Sequence, residues 1–119
     1  MSKIAITEKQ RIEKRKTLNL LKIVLFENGL HFFTELGKNN GITAISTVEL
    51  TEKIQIIPVE SVTFHFKRQD FQKWLKNTIG DEELVKRIDQ INAWVHEENL
   101  RKELSKTVHN RITELTKSS

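Results

Sequence analysis

"SVTFHFKRQDFQKWLKNTIGDEEL", residues 61–84, sets Phe64, Phe66, Phe71 and Trp74 among the cations Lys67, Arg68 and Lys73. Val62, Phe64 and Phe66 alternate with Thr63, His65 and Lys67, the two-residue period of a half-buried strand. Val59, Val62 and Phe66 also fall at helical spacing, and Pro58 suits a first helical turn. On period alone the segment reads as a strand. Beyond it the pattern is helical. Phe71, Trp74, Leu75 and Thr78 share one side, Asp70 can cap, and Gly80 closes the turn.

Further along, Asp81 opens another helix, with Glu82 and Glu83 at its positive end. Leu84, Val85, Ile88, Ile91 and Val95 form a stripe that extends this helix to about residue 95. A last helix is predicted over about 97–115, with Leu100, Leu104, Val108, Ile112 and Leu115 on one face. Such a stripe packs inward or pairs with a second copy, so a homodimer through the C-terminal helix is one expectation. Upstream, Ser46 and Glu49 make a capping-box pattern. The helix they open has Val48, Leu50, Ile54 and Ile57 inward and stops at Pro58. "GKNNG", residues 37–41, reads as a loop, and residues 30–36 as a short apolar segment. A first helix is predicted over 7–27, capped by Thr7 and Gln10. Its first half is polar nearly all round; 20–26 is apolar and predicted buried, with Gly29 as a left-handed stop.

Four motifs follow in order: Ser61-x-x-Phe64-His65, Arg68-x-Asp70-Phe71-x-x-Trp74, Gly80-Asp81-x-x-Leu84 and Leu100-Arg101-x-x-Leu104. In this order they resemble an uncharacterised family, a domain of unknown function common in archaea and present in bacteria. The resemblance spans about residues 32–115. It implies a mainly helical cytoplasmic protein and makes 59–68 a helix, overruling the local period. It brings no activity, and the basic segment before residue 20 has no counterpart in it.

Four glycines and one proline in 119 residues leave few breaks, which favours helices with brief turns. The fold class expected is mainly α: a compact bundle of about six helices, with at most one short strand or hairpin around 30–36 or 61–67. One domain is expected over 1–119, with 1–19 a basic helical arm and 20–119 the helical body. Cysteine is absent, which removes disulfides, thiolate nucleophiles and cysteine-based zinc sites. No apolar run approaches the roughly 18–20 residues of a membrane span, and no apolar core follows a basic start. A cytoplasmic protein without membrane contact is expected.

The formal net charge is +4, and it is concentrated. Residues 1–22 hold Lys3, Lys9, Arg11, Lys14, Arg15, Lys16 and Lys22 against Glu8 and Glu13, a net +5. The remainder is close to neutral. A clustered cationic patch attracts phosphate far better than a diffuse excess. Lys9, Arg11, Lys14, Arg15, Lys16, Lys67, Arg68 and Lys73 are therefore the candidate nucleic-acid contacts, with nucleic acid or a ribonucleoprotein as partner. The bland alternative is a solvated helix face. The aromatic rings beside Lys67, Arg68 and Lys73 suit stacking on bases, but their spacing points most of them into the core.

His65, Asp70 and Trp74 make a second candidate, a structural corner between two helices. Its sharper alternative is an acid–base pair or a metal site, yet a metal needs three or four converging ligands. His31, His96 and His109 are scattered. Asp81, Glu82 and Glu83 are better explained as a helix start than as paired catalytic acids. No phosphate-binding loop, nucleophile elbow or dinucleotide fingerprint is present. No catalytic residue, cofactor or metal is expected. The reading is a non-enzymatic binding or adaptor module; the alternatives are a helical protein-interaction or oligomerisation domain and a metal protein centred on His65.

Overall fold

Thr7 Oγ1 accepts from the backbone N–H of Gln10, while Thr7 N–H donates to the Gln10 side chain. This reciprocal cap opens α1, Glu8–Leu20. The computed structural model describes residues 7–117; residues 1–6 of the expected arm, Lys3 included, lie outside them.

The first helix is shorter than predicted. Leu20 is its last residue, 21–26 does not continue it, and the expected burial of 20–26 fails: Ile23 is 75% exposed, and Leu25 and Phe26 are 66% exposed. The reason is tertiary. Val24 N–H donates to Ile45 O at 2.8 Å, which ties the non-helical residues 22–25 to the chain just after β2. A short 3-10 turn, Phe26–Asn28, follows. Gly29 is extended (φ −74°, ψ 169°), not left-handed. It is required for space, because a Cβ there would lie 2.7 Å from Thr43 Cγ2 and 2.9 Å from Ala44 O.

Strands β1, Leu30–Glu35, and β2, Lys38–Ala44, form an antiparallel hairpin, pairing Leu30 with Ala44 and Phe33 with Asn39. Much of "GKNNG" is thus strand. The turn is confined to Leu36 and Gly37, and Gly37 and Gly41 take left-handed backbone (φ 82° and 74°) as the register shifts. Leu30, Phe32 and Ala44 face the core.

Ser46 caps α2, Thr47–Ile56, accepting from Glu49 N–H. The Glu49 carboxylate reaches back one residue further than a capping box predicts, to Ile45 N–H. Leu50, Ile54 and Ile57 are buried; Val48 is exposed. Pro58 then starts α3, Val59–Lys67, so the ambiguous stretch is helical. Gln69 turns the chain in left-handed backbone (φ 60°) and caps α4, Asp70–Trp74, in place of Asp70. α4 runs directly into a π-helical turn, Leu75–Ile79, where Gly80 N–H reaches back to Leu75 O. Gly80 is left-handed as expected (φ 89°).

Asp81 caps α5, Glu82–Asp89, and the remaining stripe to Val95 lies in irregular chain instead of helix. α6 runs Glu97–Lys117. Its stripe packs against α2, α3 and α5. Leu100, Leu104 and Val108 are at most 1% exposed, so this face is spent inside the chain and offers nothing to a second copy. The architecture is mainly α with one short hairpin, and among the described residues no helix is long and apolar enough to cross a membrane.

Polar side chains lock the helix junctions. Arg111 Nε donates to both oxygens of Asp81 at 3.3 and 3.0 Å, and the Asp81 carboxylate is buried. Arg101 Nη1 donates to Ile54 O and Ile57 O at 2.7 and 2.8 Å, capping α2 from α6. Removing one partner of a buried ion pair strands the other charge, at roughly 3–5 kcal/mol. Arg111→Met is expected to lower the urea midpoint by that equivalent. Pairing it with Asp81→Ser, which keeps a capping oxygen without the charge, should recover most of the loss. A change under about 1 kcal/mol for Arg111→Met contradicts the junction's role.

Candidate functional site: the His65 corner and the cationic surfaces

Among the described residues β1 has β2 on one edge and no strand on the other. The backbone of Phe33 would be left without partners there, a costly state for buried amides. α3 supplies them. Ser61 Oγ donates to Phe33 O at 2.7 Å, and Phe33 N–H donates to His65 Nε2 at 2.8 Å. Residues 61 and 65 are one helical turn apart, so one helix face holds both groups.

The Phe33 bond also fixes the histidine tautomer. With Nε2 accepting, the ring proton sits on Nδ1, which donates to Asp70 Oδ2 at 2.8 Å. The same oxygen accepts from Arg68 Nε at 3.1 Å. His65 is buried, packed edge-on against Phe32 and Phe71. Burial lowers its pKa below the usual histidine range, against an opposing pull from the Asp70 hydrogen bond. Both ring nitrogens are committed to neighbours, which leaves no lone pair for a metal ion or a substrate proton. Among the described residues no three His, Asp or Glu side chains converge as metal ligands.

Trp74, the third member of the expected corner, serves a different junction. Its Nε1 donates to Asn28 O at 2.8 Å, tying the 3-10 turn to α4.

A family model described as "Family of unknown function (DUF5752)" matches residues 38–109, more than half of the chain. The chain belongs to that family. No curated protein and no solved structure matches it. The match to the DUF5752 family takes in β2, α2 to α5 and most of α6. It leaves out α1, which carries five of the eight candidate nucleic-acid contacts.

Lys9, Arg11, Lys14, Arg15 and Lys16 are all exposed on α1, and Thr17 is the only buried residue of that helix. Among the described residues their one ion pair is Arg11 with Glu8, at 3.8 Å and exposed. Lys67, Arg68 and Lys73 are exposed too, but they divide. Arg68 and Lys73 line one cavity with His31 and Trp74; Lys67 lines a different groove, between α3 and residues 91–97. Neither is lined by α1. Arg68 also lies 5.1 Å over the Phe64 ring.

Sequence reasoning missed Ser61, Arg101 and Arg111 as junction residues, although each stands in or near a motif. It also missed Trp94, 82% exposed between α5 and α6. Its signal was available: Trp94 falls between stripe positions 91 and 95 rather than on them.

His65→Phe removes an acceptor for Phe33 and a donor for Asp70 while keeping a buried ring. Unsatisfied buried polar groups make the expected loss roughly 2–4 kcal/mol by urea unfolding. The wild type should also lose stability on acidification. Because the native pKa is lowered, the unfolded chain takes up the proton first as pH falls below 6.5. The histidine's contribution is whole above that value and drains as pH falls through the lowered native one. His65→Gln should flatten this slope below about pH 6.5. An unchanged slope in the variant would assign the pH dependence to other groups.

Proposed function

We propose that the chain is a non-enzymatic binding module whose α1 contacts the phosphates of a nucleic acid or a ribonucleoprotein. The observation that carries this is the state of α1. It is capped and helical, yet only Thr17 is buried, and five cations face outward against two carboxylates. A clustered cationic surface attracts phosphate far better than a diffuse excess, and the exposed Ile12 and Leu18 leave α1 without an apolar face spent on the core. Among the described residues the carboxylates do not consume the charge: Glu8 pairs with Arg11 alone, across 3.8 Å. The residues that look chemical support the same reading, since His65, Asp70, Asp81 and Arg111 are held by one another and by backbone.

A protein-interaction module without a nucleic-acid role is the second reading. It is favoured by Trp94 and by the exposed Ile23, Leu25 and Phe26. Light scattering over a concentration series, on wild type and Phe26→Asp, addresses its self-associating form. A wild type that stays monomeric removes that form.

Anisotropy titration of a labelled single-stranded oligonucleotide tests the first reading. Affinity is expected to fall by orders of magnitude between about 50 and about 200 mM salt. Lys14→Glu with Arg15→Glu should weaken binding and reduce the log–log salt slope by about 1.4, from about 0.7 for each lost contact. Binding absent at low salt, or indifferent to salt, would falsify the electrostatic reading.

A further inference from the structure

We propose that the cavity between the β1–β2 turn and α4 seats one nucleotide, its base against an apolar wall and its phosphate on Arg68 and Lys73. The inference rests on the polyanion reading of α1 and names a second subsite for the same ligand.

The cavity holds about 470 Å³, within the range of roughly 300–1,000 Å³ found for small-molecule sites. Phe33, Phe64, Leu36 and Trp74 give it apolar and aromatic walls. Leu36, at the hairpin tip, is 76% exposed and has no role in the core. A planar ring laid there would cover it.

The charge is one-sided. Asp70 is the single carboxylate on the lining, and it already accepts from His65 and Arg68. Lys73 has no carboxylate partner among the described residues, and His31 adds a further nitrogen. Asn77 and Thr78 come from the π-helical turn. That rare geometry is frequent at functional sites. Neither side chain has a hydrogen-bond partner among the described residues, so both are free to read a base edge or a ribose hydroxyl.

The larger groove beside α3, about 820 Å³, has the opposite character. Glu60, Asp89 and Glu97 line it against Lys67, a balance that repels phosphate.

The cavity is also within reach of α1. Its lining residue His31 packs edge-on to Phe26 at 5.1 Å between centroids, and Phe26 is six residues beyond the end of α1. Six residues span at most about 20 Å, and Lys16, the α1 cation nearest that end, stands about 6 Å further back along the helix. A single strand with its phosphates on α1 can therefore deliver an unstacked base to this wall, as aromatic platforms receive bases elsewhere.

Calorimetry with adenosine monophosphate, inorganic phosphate and adenosine separates the parts of the ligand; anisotropy with a short oligonucleotide reports the strand. The monophosphate is expected to bind more tightly than either fragment. Lys73→Gln and Leu36→Ser, both at exposed positions, should each weaken the monophosphate and the oligonucleotide about tenfold. Circular dichroism checks that they fold. Lys14→Glu with Arg15→Glu should lose the oligonucleotide and keep the monophosphate.

If the oligonucleotide binds, the monophosphate does not, and Leu36→Ser changes nothing, the nucleotide cavity is wrong while the α1 reading stands. If the monophosphate binds and the oligonucleotide does not, the site belongs to a free nucleotide and the α1 reading falls. Binding of neither overturns both.

Discussion

An unpaired strand edge is the constraint around which this chain is arranged. A two-stranded hairpin buried on one face leaves backbone amides that water cannot reach, and they must be satisfied or the hairpin will not stay docked. Here Ser61 and His65 take the place of a third strand for Phe33. That substitution needs a helix: a strand would also put residues 61 and 65 on one face but about 13 Å apart, whereas a helix sets them about 6 Å apart, close enough to serve one strand residue. It also needs a neutral imidazole with a defined tautomer, which Asp70 provides by accepting from Nδ1. The orientation of α3 on β1, the left-handed turn at Gln69 and the start of α4 all meet at this one ring.

The same logic runs through the other motifs. Asp81 caps α5 and holds Arg111 of α6. Arg101 of α6 caps the carbonyls at the end of α2, and its hydrogen bonds to Glu98 lower that carboxyl's pKa. Trp74 fastens α4 to the turn before β1. Each motif couples an apolar anchor, such as Phe71, Leu84 or Leu104, to a polar group that answers a backbone or charge requirement of a neighbouring helix. His65, Asp70, Asp81, Arg101 and Arg111, the residues of most chemical appearance, are thus engaged in architecture. Left outside that architecture are the cations of α1, the cavity beside the hairpin and exposed side chains such as Trp94.

Much of this was readable from the residues. Ser46 and Asp81 were legible as caps, Gly80 as a left-handed stop, and Leu100, Leu104 and Val108 as one helical face. The exposure of α1 followed from its polar circumference. Readings failed where a distant group outbid a local preference. Apolar 20–26 looked like buried helix, but Val24 is hydrogen-bonded to Ile45 and the segment is tied to the chain just after β2. Gly29 looked like a left-handed stop but is needed because Thr43 and Ala44 crowd it. The alternation of Val62, Phe64 and Phe66 imitated a strand because Ser61 and His65, the polar residues around it, are themselves buried by their bonds to Phe33.

By itself the sequence determined the helical content, most of the caps, the inward stripes and the concentration of charge before residue 22. These depend on contacts between residues a few positions apart, where periodicity and side-chain chemistry act directly. Only the tertiary structure decided that His65 serves a strand thirty-two residues away, that the α6 stripe is consumed internally, and that Arg68 and Lys73 share a cavity that Lys67 does not. Those outcomes turn on which buried backbone and charged groups lack partners once the elements meet, and that need does not exist until the chain has folded.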